Sequence, residues 1–281
     1  MFWQKIIIPV KPQILEHIAS SIFNLGASGL EEGNDFFYVY FHQSSWSAKK
    51  LEILRGLIEP FIADADAIDI RFEAVPDQNW NESWKENFKT LRVSERIIIY
   101  PEWETYQPQK DEYAIIISPK MAFGTGHHET TRMVLLLMEK YCQPGMRYLD
   151  AGTGSGILAL LAAKMGASAI VAFDNDPVAM ENCRENFDLN KIDIPAQLFT
   201  GTLDQIHEQR FDLITANIER NVLMEMASDL HRLILPGGLA ILSGLLDRDA
   251  GKVAALHRAK GWNLIEEMHD KEWMALVLRY E

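Results

Sequence analysis

The chain has 281 residues, the length of one large domain or of two smaller ones. Hydrophobic residues make up 48% and charged residues 24%, a globular balance that excludes a disordered or collagen-like chain. The formal net charge is −13, from 27 Lys and Arg against 40 Asp and Glu. Such a surface repels nucleic acid and anionic membranes and attracts basic partners.

The cysteines and the N-terminus indicate the compartment. Cys142 and Cys183 are too few for a disulfide framework, which fits a protein of a reducing interior. The N-terminus lacks a basic region and Pro9 ends its short apolar run, so we expect no signal peptide. No apolar stretch approaches the roughly 18 residues of a membrane span. We therefore expect a soluble, cytoplasmic protein that acts as a monomer.

Residues 1–75 carry a pattern of their own. The order of the predicted elements is β-α-β-β-α-β, which is the ferredoxin-like arrangement of a small α+β domain. The elements are a strand at 3–10, a helix at 12–25, strands at 27–32 and 36–42, a helix at 47–59 and a strand at 68–75. This segment has no catalytic signature.

The stretch 76–95 differs in composition and predicts a linker. It begins with a proline and is polar, and its aromatic residues Trp80, Trp84 and Phe88 are four apart, which places them on one face of a helix. The simplest interpretation is a linker helix that packs this face on a neighbouring domain. Stacking against a substrate is the alternative.

Residues 96–281 predict a doubly wound α/β domain, because apolar strands alternate with helices. Strands are predicted at 96–100, 113–118, 146–150, 169–174, 195–200, 211–216, 238–244, 262–268 and 272–280, and helices at 127–142, 155–165, 177–189, 218–233 and 247–260. Only a short turn separates the last two strands. At least one of them must therefore run antiparallel to its neighbour in a mostly parallel sheet.

The most informative stretch is a glycine loop between a predicted strand and a predicted helix. It reads D-A-G-T-G-S-G from Asp150 to Gly156. Glycine allows backbone angles and a close ligand approach that side chains forbid, and the helix that follows offers free N–H donors. The loop therefore suits a carboxylate, a phosphate or a ribose. A tight turn without a ligand is the alternative.

The spacing of the glycines excludes a dinucleotide fingerprint. That fingerprint is G-x-G-x-x-G, whereas these glycines are Gly152, Gly154 and Gly156. Asp174 ends the next predicted strand, where a carboxylate can accept hydrogen bonds from both hydroxyls of an adenosine ribose. Asp176 directly precedes a proline and is predicted to cap the next helix.

The loop, with an acidic residue before it and another at the end of the second strand, resembles class I S-adenosylmethionine-dependent methyltransferases. Three further segments are similar to the bacterial ribosomal protein L11 methyltransferase (PrmA) family. They are MAFGTGHHETT at 121–131, WKENF at 84–88 and ANI at 216–218. The resemblance covers most of residues 80–281 and includes the order of the two domains, while residues 1–75 share the architecture only.

The resemblance implies a fold, a cofactor and a substrate. The fold is a Rossmann-like seven-stranded sheet in residues 96–281, preceded by a ferredoxin-like substrate-recognition domain in residues 1–75. The implied methyl donor is S-adenosylmethionine. The implied substrate is large-subunit ribosomal protein L11, methylated on lysine side chains or its N-terminal α-amine, with no direct nucleic-acid contact. Alternatives are a methyltransferase of this fold for a small molecule or RNA, and a non-catalytic protein with a cofactor pocket.

The resemblance also assigns roles to residues. The loop backbone at Gly152 and Gly154 is expected to lie against the methionine part of the cofactor. Thr131 is expected to contact the cofactor, and Phe123 to help enclose the active site. Asp150 is expected to order the loop and to reach the ammonium group of the cofactor through water, with a purely structural cap as the alternative.

Asn217 ends a predicted strand, at the edge where open α/β sheets bind ligands. Methylases of flat amide or base nitrogens usually carry an Asn-Pro-Pro-Tyr sequence at this place, whereas this chain reads N-I-E-R from Asn217. The departure favours a flexible amine as the acceptor. We expect Asn217 to orient that amine, and the alternative is a helix N-cap only.

The segment 123–131 contains two glycines, which suggest a mobile lid. His127, His128 and Glu129 could suggest a metal site. They lack the i, i+4 spacing of a zinc-binding helix, however, so we expect no metal.

Overall fold

The computed structural model describes residues 2–10, 14–33, 36–42, 45–61, 70–76, 88–119, 124–207 and 209–281. The chain divides into two compact units, Met1–Glu86 and Asn87–Glu281. Trp80 and Trp84 of the predicted linker helix lie outside the described residues. Residues 88–95 contain no helix and instead include a short strand, so the predicted helix does not extend over this part of the linker.

The first unit has the element order expected from the sequence. Its elements are β1 (Phe2–Ile8), α1 (Leu15–Asn24), β2 (Gly29–Glu32), β3 (Phe37–His42), α2 (Ala48–Ile58) and β4 (Arg71–Pro76). The strands form one sheet in the order β2-β3-β1-β4, and every neighbouring pair is antiparallel.

Alternation along β3 decides which face of this sheet is buried. Phe37, Val39 and Phe41 are 0% exposed, and Ile6 of β1, opposite Val39, is equally buried. These side chains form one apolar cluster with residues of α1 and α2. Since neighbouring residues of a strand point to opposite faces, the residues between them lie on the other face of the sheet.

The second unit begins with a small sheet. Its strands are β5 (Leu91–Arg92), β6 (Ile97–Pro101) and β7 (Tyr113–Ile117). The order is β5-β6-β7, with β5 antiparallel and β7 parallel to β6. Because β5 pairs with β6, residues 91–92 belong to this unit rather than to a separate linker.

The large sheet of the second unit has seven strands in the order β10-β9-β8-β11-β12-β14-β13. Its elements and flanking helices are α3 (Glu129–Tyr141), β8 (Arg147–Ala151), α4 (Ile157–Lys164), β9 (Ala169–Asp174), α5 (Pro177–Leu189), β10 (Ala196–Thr200), β11 (Phe211–Asn217), α6 (Arg220–Leu233), β12 (Ile234–Leu246), α7 (Asp247–Arg258), β13 (Trp262–Asp270) and β14 (Trp273–Tyr280). None of the described helices is long and apolar enough to cross a membrane.

The predicted sheet type is confirmed. The first five strands in this order are parallel, while β14 runs antiparallel to both β12 and β13. Buried residues of α3, α4 and α5 form one core, and those of α6 and α7 form another on the opposite face. The strand β12 begins four residues earlier than predicted, because Ile234 pairs with Phe211 of β11.

Two asparagines of α5 and the asparagine at its C-cap bind the backbone at the end of β7. Asn190 accepts a hydrogen bond from the Ile116 N–H at 2.9 Å and donates to the Ile116 carbonyl at 2.7 Å. Asn186 accepts from the Ser118 N–H at 2.7 Å, and Asn182 donates to the Ser118 carbonyl at 3.0 Å. Their spacing of four residues places these amides on one face of the helix.

A buried histidine makes the fold sensitive to acid. His257 of α7 is 0% exposed, and its ring nitrogens have no hydrogen-bond partner among the described residues. Burial, with a smaller effect of Lys260, lowers the pKa of His257 to about 4, against about 6.5 for a free histidine. Between these values the unfolded chain binds more protons. The free energy of unfolding should therefore fall by roughly 3 kcal/mol from this group as the pH drops from 6.5 to 4.

Replacing His257 by phenylalanine, which keeps an aromatic ring but cannot take up a proton, should remove this part of the pH dependence. Urea unfolding at several pH values between 7.5 and 4 measures how the free energy of unfolding depends on pH. The same substitution at His207, an exposed histidine, is the control and should leave the pH dependence as in the parent. An unaltered slope in His257→Phe would contradict the prediction.

Candidate active site

The strand order places the candidate site. The neighbours of β8 are β9 on one side and β11 on the other, so the chain leaves the sheet in opposite directions there. Open α/β sheets bind ligands at the carboxyl ends of the strands beside such a reversal. The residues that end β8, β9 and β11 are Ala151, Asp174 and Asn217. Their side of the sheet is where a ligand is expected.

A cavity of about 130 Å³ lies at this place. Its lining consists of Gly124, Thr131, Gly152, Thr153, Gly154, Ile157, Leu158, Asp174, Asn217 and Ile218. The structure thus brings together Thr131, Gly152, Gly154, Asp174 and Asn217, all of which the sequence predicted as site residues. Phe123 lies outside the described residues. The cavity is smaller than the roughly 300–1,000 Å³ usual for small-molecule sites, so it could hold only part of a nucleoside-sized ligand.

The glycine loop needs glycine for its backbone and for its contacts. Gly152, Gly154 and Gly156 have φ angles of 71°, 54° and 84°, in the left-handed region that side chains disfavour. A Cβ atom on Gly156 would lie 2.7 Å from the sulfur of Cys183. The loop can therefore present its backbone to the cavity and lie close to the neighbouring helix.

Asp150 lies beneath the loop. Its side chain is 0% exposed, and it accepts hydrogen bonds from the hydroxyls of Thr153 and Thr215, each at 2.7 Å. Burial raises the pKa of Asp150 to about 6. Asp150 is not part of the cavity wall, whereas Thr153 is. The geometry is that of a group that orders the loop, and any effect on a ligand would pass through Thr153.

Asp174 is tied to the loop and still has acceptor capacity. One oxygen accepts a hydrogen bond from the Gly154 N–H at 2.9 Å, and the other accepts from the Asp176 N–H at 3.1 Å. A carboxylate has about four lone-pair sites, so two acceptor positions stay open to a ligand. The predicted role of Asp176 is confirmed, because its side chain accepts a hydrogen bond from the Val178 N–H at 2.8 Å as the N-cap of α5.

Asn217 and Thr131 are hydrogen-bonded neighbours in the cavity wall. The Asn217 amide nitrogen donates to the Thr131 hydroxyl at 3.2 Å, and Thr131 itself is 0% exposed. The Asn217 carbonyl oxygen is buried and has no hydrogen-bond partner among the described residues. Glu219 occupies the N-cap position of α6, so Asn217 is not the cap of that helix. An unpaired acceptor in a cavity wall is costly unless a ligand donor binds it.

Ile218 is a wall residue that the sequence did not single out, and Gly244 of β12 holds it in place. The Ile218 N–H donates to the Ser243 carbonyl at 3.2 Å. Gly244 has a φ angle of 83°, and a Cβ atom there would lie 3.0 Å or less from three backbone atoms of Ile218. An isolated glycine in a predicted strand often marks a close backbone approach, and this was the available signal.

The segment before α3 is fixed at both ends of its described part. The Ser155 hydroxyl donates to the Gly124 carbonyl at 2.6 Å. His128 is the N-cap of α3, where its Nδ1 accepts from the Thr130 N–H at 3.3 Å, and Glu129 pairs with Lys271. Within the described ranges, no group of three or more His, Cys, Asp or Glu side chains is placed to hold a metal ion.

The strand order is that of the class I methyltransferases, a Rossmann-like fold with one antiparallel strand inserted near the end of the sheet. The crystal structure of a ribosomal protein L11 methylase from Lactobacillus delbrueckii subsp. bulgaricus matches with a TM-score of 0.64 and 32% identity, over 69% of this chain and 100% of that one. A methyltransferase from Pyrococcus furiosus shares the fold at 17% identity, with a TM-score of 0.50 over 59% of this chain and 88% of its own.

Sequence comparison gives the particular family. The model of the ribosomal protein L11 methyltransferase (PrmA) family matches residues 3–281, and the chain belongs to this family. The ribosomal protein L11 methyltransferase of Chloroflexus aurantiacus is 34% identical over 99% of this chain and 98% of its own length. That of Macrococcus caseolyticus is 34% identical over 92% and 84%.

Proposed function

We propose that this protein transfers methyl groups from S-adenosylmethionine to amino groups of ribosomal protein L11, on lysine side chains or on the N-terminal α-amine. Family membership supports the substrate, since the relatives carry that name. The observation that carries the chemistry is the unpaired, buried carbonyl oxygen of Asn217 in the cavity wall. An amine offers the N–H donor that this oxygen lacks.

The residues of the cavity fit the proposed cofactor. Asp174 retains acceptor positions for the two hydroxyls of a ribose, and carboxylate–hydroxyl hydrogen bonds at this strand end are how nucleoside cofactors are bound in related sheets. The glycine loop offers backbone at close range to the methionine part. Thr131, which accepts a hydrogen bond from Asn217, lines the same cavity.

When bound, S-adenosylmethionine supplies a methyl group on a positively charged sulfur, so no general acid is needed. The protein then has to position an unprotonated nitrogen and exclude water. The side-chain oxygen of Asn217 can orient the amine by accepting a hydrogen bond from one of its N–H groups. Ile157, Leu158 and Ile218 provide apolar surface to the cavity, and such desolvation lowers the pKa of an ammonium group toward neutrality.

We assign recognition of the protein substrate to the unit Met1–Glu86. The residues predicted for the cofactor site all lie in the other unit, Asn87–Glu281, and the sequence gives Met1–Glu86 no catalytic signature. The net charge of −13 favours a basic partner.

The experiment that tests the function is mass spectrometry of purified ribosomal protein L11 after incubation with the enzyme and isotope-labelled S-adenosylmethionine. We expect labelled methyl groups on its amines. We also expect Asn217→Ala to lower kcat by about tenfold to a hundredfold, the size of one lost buried hydrogen bond of about 1.5–3 kcal/mol.

The matched control is Asn221→Ala, at an exposed asparagine that is the second residue of α6. It should leave kcat within about twofold of the parent. Cofactor binding without any methylation of ribosomal protein L11 would instead point to RNA or a small molecule as the substrate.

A further inference from the structure

The face of the first unit's sheet opposite its apolar cluster carries three aromatic rings in a row. Phe36, Tyr38 and Tyr40 alternate with the buried residues of β3, and we call them the aromatic row. The ring centroids of Phe36 and Tyr38 are 5.0 Å apart, and those of Tyr38 and Tyr40 are 6.5 Å apart. All three residues are half-buried, so part of each side chain is open to solvent.

An ammonium group already lies on this row. Lys5 of β1 stands opposite Tyr40 in the strand pairing. Its amine lies 3.6 Å from the centroid of the Tyr38 ring and 5.8 Å from that of Tyr40. Both distances are within the range of a cation–π interaction, in which the negative ring face attracts a cation.

Acidic residues stand on the two strands that flank β3 and β1. The Tyr40 hydroxyl donates a hydrogen bond to Glu31 of β2, and Glu73 of β4 lies opposite Lys5 on the other side of β1. Burial and the bond to Glu31 raise the pKa of Tyr40, so its ring stays an uncharged phenol. Two aromatic rings that already hold an ammonium group are the feature of a site for an organic cation.

We propose that the aromatic row is a second binding site, which takes a methylated ammonium group of the product protein in place of Lys5. The inference rests on the proposed function, because that reaction is the source of the methylated amine. A primary ammonium loses the hydration of three N–H donors when it leaves water, whereas a trimethylated one has no N–H donor to desolvate and buries methyl groups. Moving the methylated group from water onto the rings therefore costs less desolvation than moving the amine of Lys5.

The site has a use in a reaction with several target amines. Retaining a modified residue outside the catalytic unit keeps the same protein molecule bound while another of its amines is methylated. The local concentration of the remaining amines is then raised without any new contact in the catalytic cavity. The first unit would recognise the product as well as the unmodified substrate.

The test uses the full chain and two probes, N-acetyl-trimethyllysine amide and N-acetyl-lysine amide, with no cofactor present. The ring signals of Tyr38 and Tyr40 in nuclear magnetic resonance spectra report binding. We expect the trimethylated probe to bind at least threefold more tightly than the unmodified one. Equal affinities, or shifts confined to residues of the catalytic unit, would overturn the proposal.

Substitutions distinguish the contribution of the aromatic row from that of Lys5, which occupies it in the free protein. Lys5→Thr, which suits a strand but cannot reach the rings, should strengthen binding of the trimethylated probe by about threefold to tenfold. Tyr38→Ala should weaken it at least threefold, and Tyr38→Phe, which keeps the ring, should bind like the parent. A Lys5→Thr affinity equal to that of the parent contradicts the proposal.

The outcome is independent of catalysis. Because the probes are already methylated and no cofactor is added, loss of methyl transfer to ribosomal protein L11 would count against the proposed function alone. Intact methyl transfer with no selectivity for the trimethylated probe would count against the aromatic row alone.

Discussion

Replacing Asp174 by alanine is expected to weaken the binding of S-adenosylmethionine at least tenfold. The carboxylate has two free acceptor positions in the cavity wall, and each hydrogen bond to a charged acceptor contributes about 1.5–3 kcal/mol. The same side chain holds the Gly154 N–H at 2.9 Å, so its removal also loosens the loop. Both effects lower affinity, and isothermal titration calorimetry on the folded variant measures their sum.

Asp176→Ala is the control for this experiment. Asp176 lies two residues away and also carries a hydrogen-bonded carboxylate, but it caps α5 and does not line the cavity. We expect it to lose about 1 kcal/mol of stability with an affinity within about twofold of the parent. Equal affinities of Asp174→Ala and the parent would remove Asp174 from the site.

Gly244→Ala is expected to lower the free energy of unfolding by about 2–5 kcal/mol. The left-handed backbone costs about 1–2 kcal/mol for a residue with a Cβ atom, and the overlap with the Ile218 backbone adds about 1–3 kcal/mol. Rotating a side chain cannot relieve that overlap, because the atoms belong to the main chain. The chain at Ile218 must therefore move, and Asn217 with it, so kcat should fall as well.

Gly237→Ala separates the two causes. Gly237 also lies in β12 and has a φ angle of 77°, but a Cβ atom there would have nothing within 4 Å. It should lose only the backbone contribution of about 1–2 kcal/mol and keep full activity. Urea unfolding of both variants, alongside a methyl-transfer assay that measures kcat, decides the matter. Equal losses of stability would show that the contact with Ile218 is of no consequence.

The part of the fold that follows from local patterns could be predicted. Alternating apolar strands and helices gave the parallel sheet, and the short turn before β14 required the antiparallel strand. The candidate site followed from the glycine spacing and from polar residues at strand ends, since parallel strands bring their carboxyl ends together. Thr131 is different, because only the resemblance to the family indicated it.

The contacts that depend on distant segments could not be predicted. Asp150 was expected to order the loop and to reach the cofactor through water. Its two oxygens accept hydrogen bonds from two hydroxyls, one of them 65 residues away, and the sequence does not show this pairing. Nothing in the pattern of α5 indicates that its amides bind Ile116 and Ser118. Such pairings are selected by tertiary packing, which local periodicity does not record.

The asparagine at the C-cap of α5 has a consequence for solubility. The strand β7 is the last of its sheet, and an uncovered last strand is a template on which another chain can add a strand and aggregate. The amide of Asn190 occupies the N–H and the carbonyl of Ile116 as a neighbouring strand would. The helix that begins beside Asp174 therefore also shields an aggregation-prone edge. Changes made there to alter cofactor binding can reduce the yield of soluble protein while the cavity stays intact.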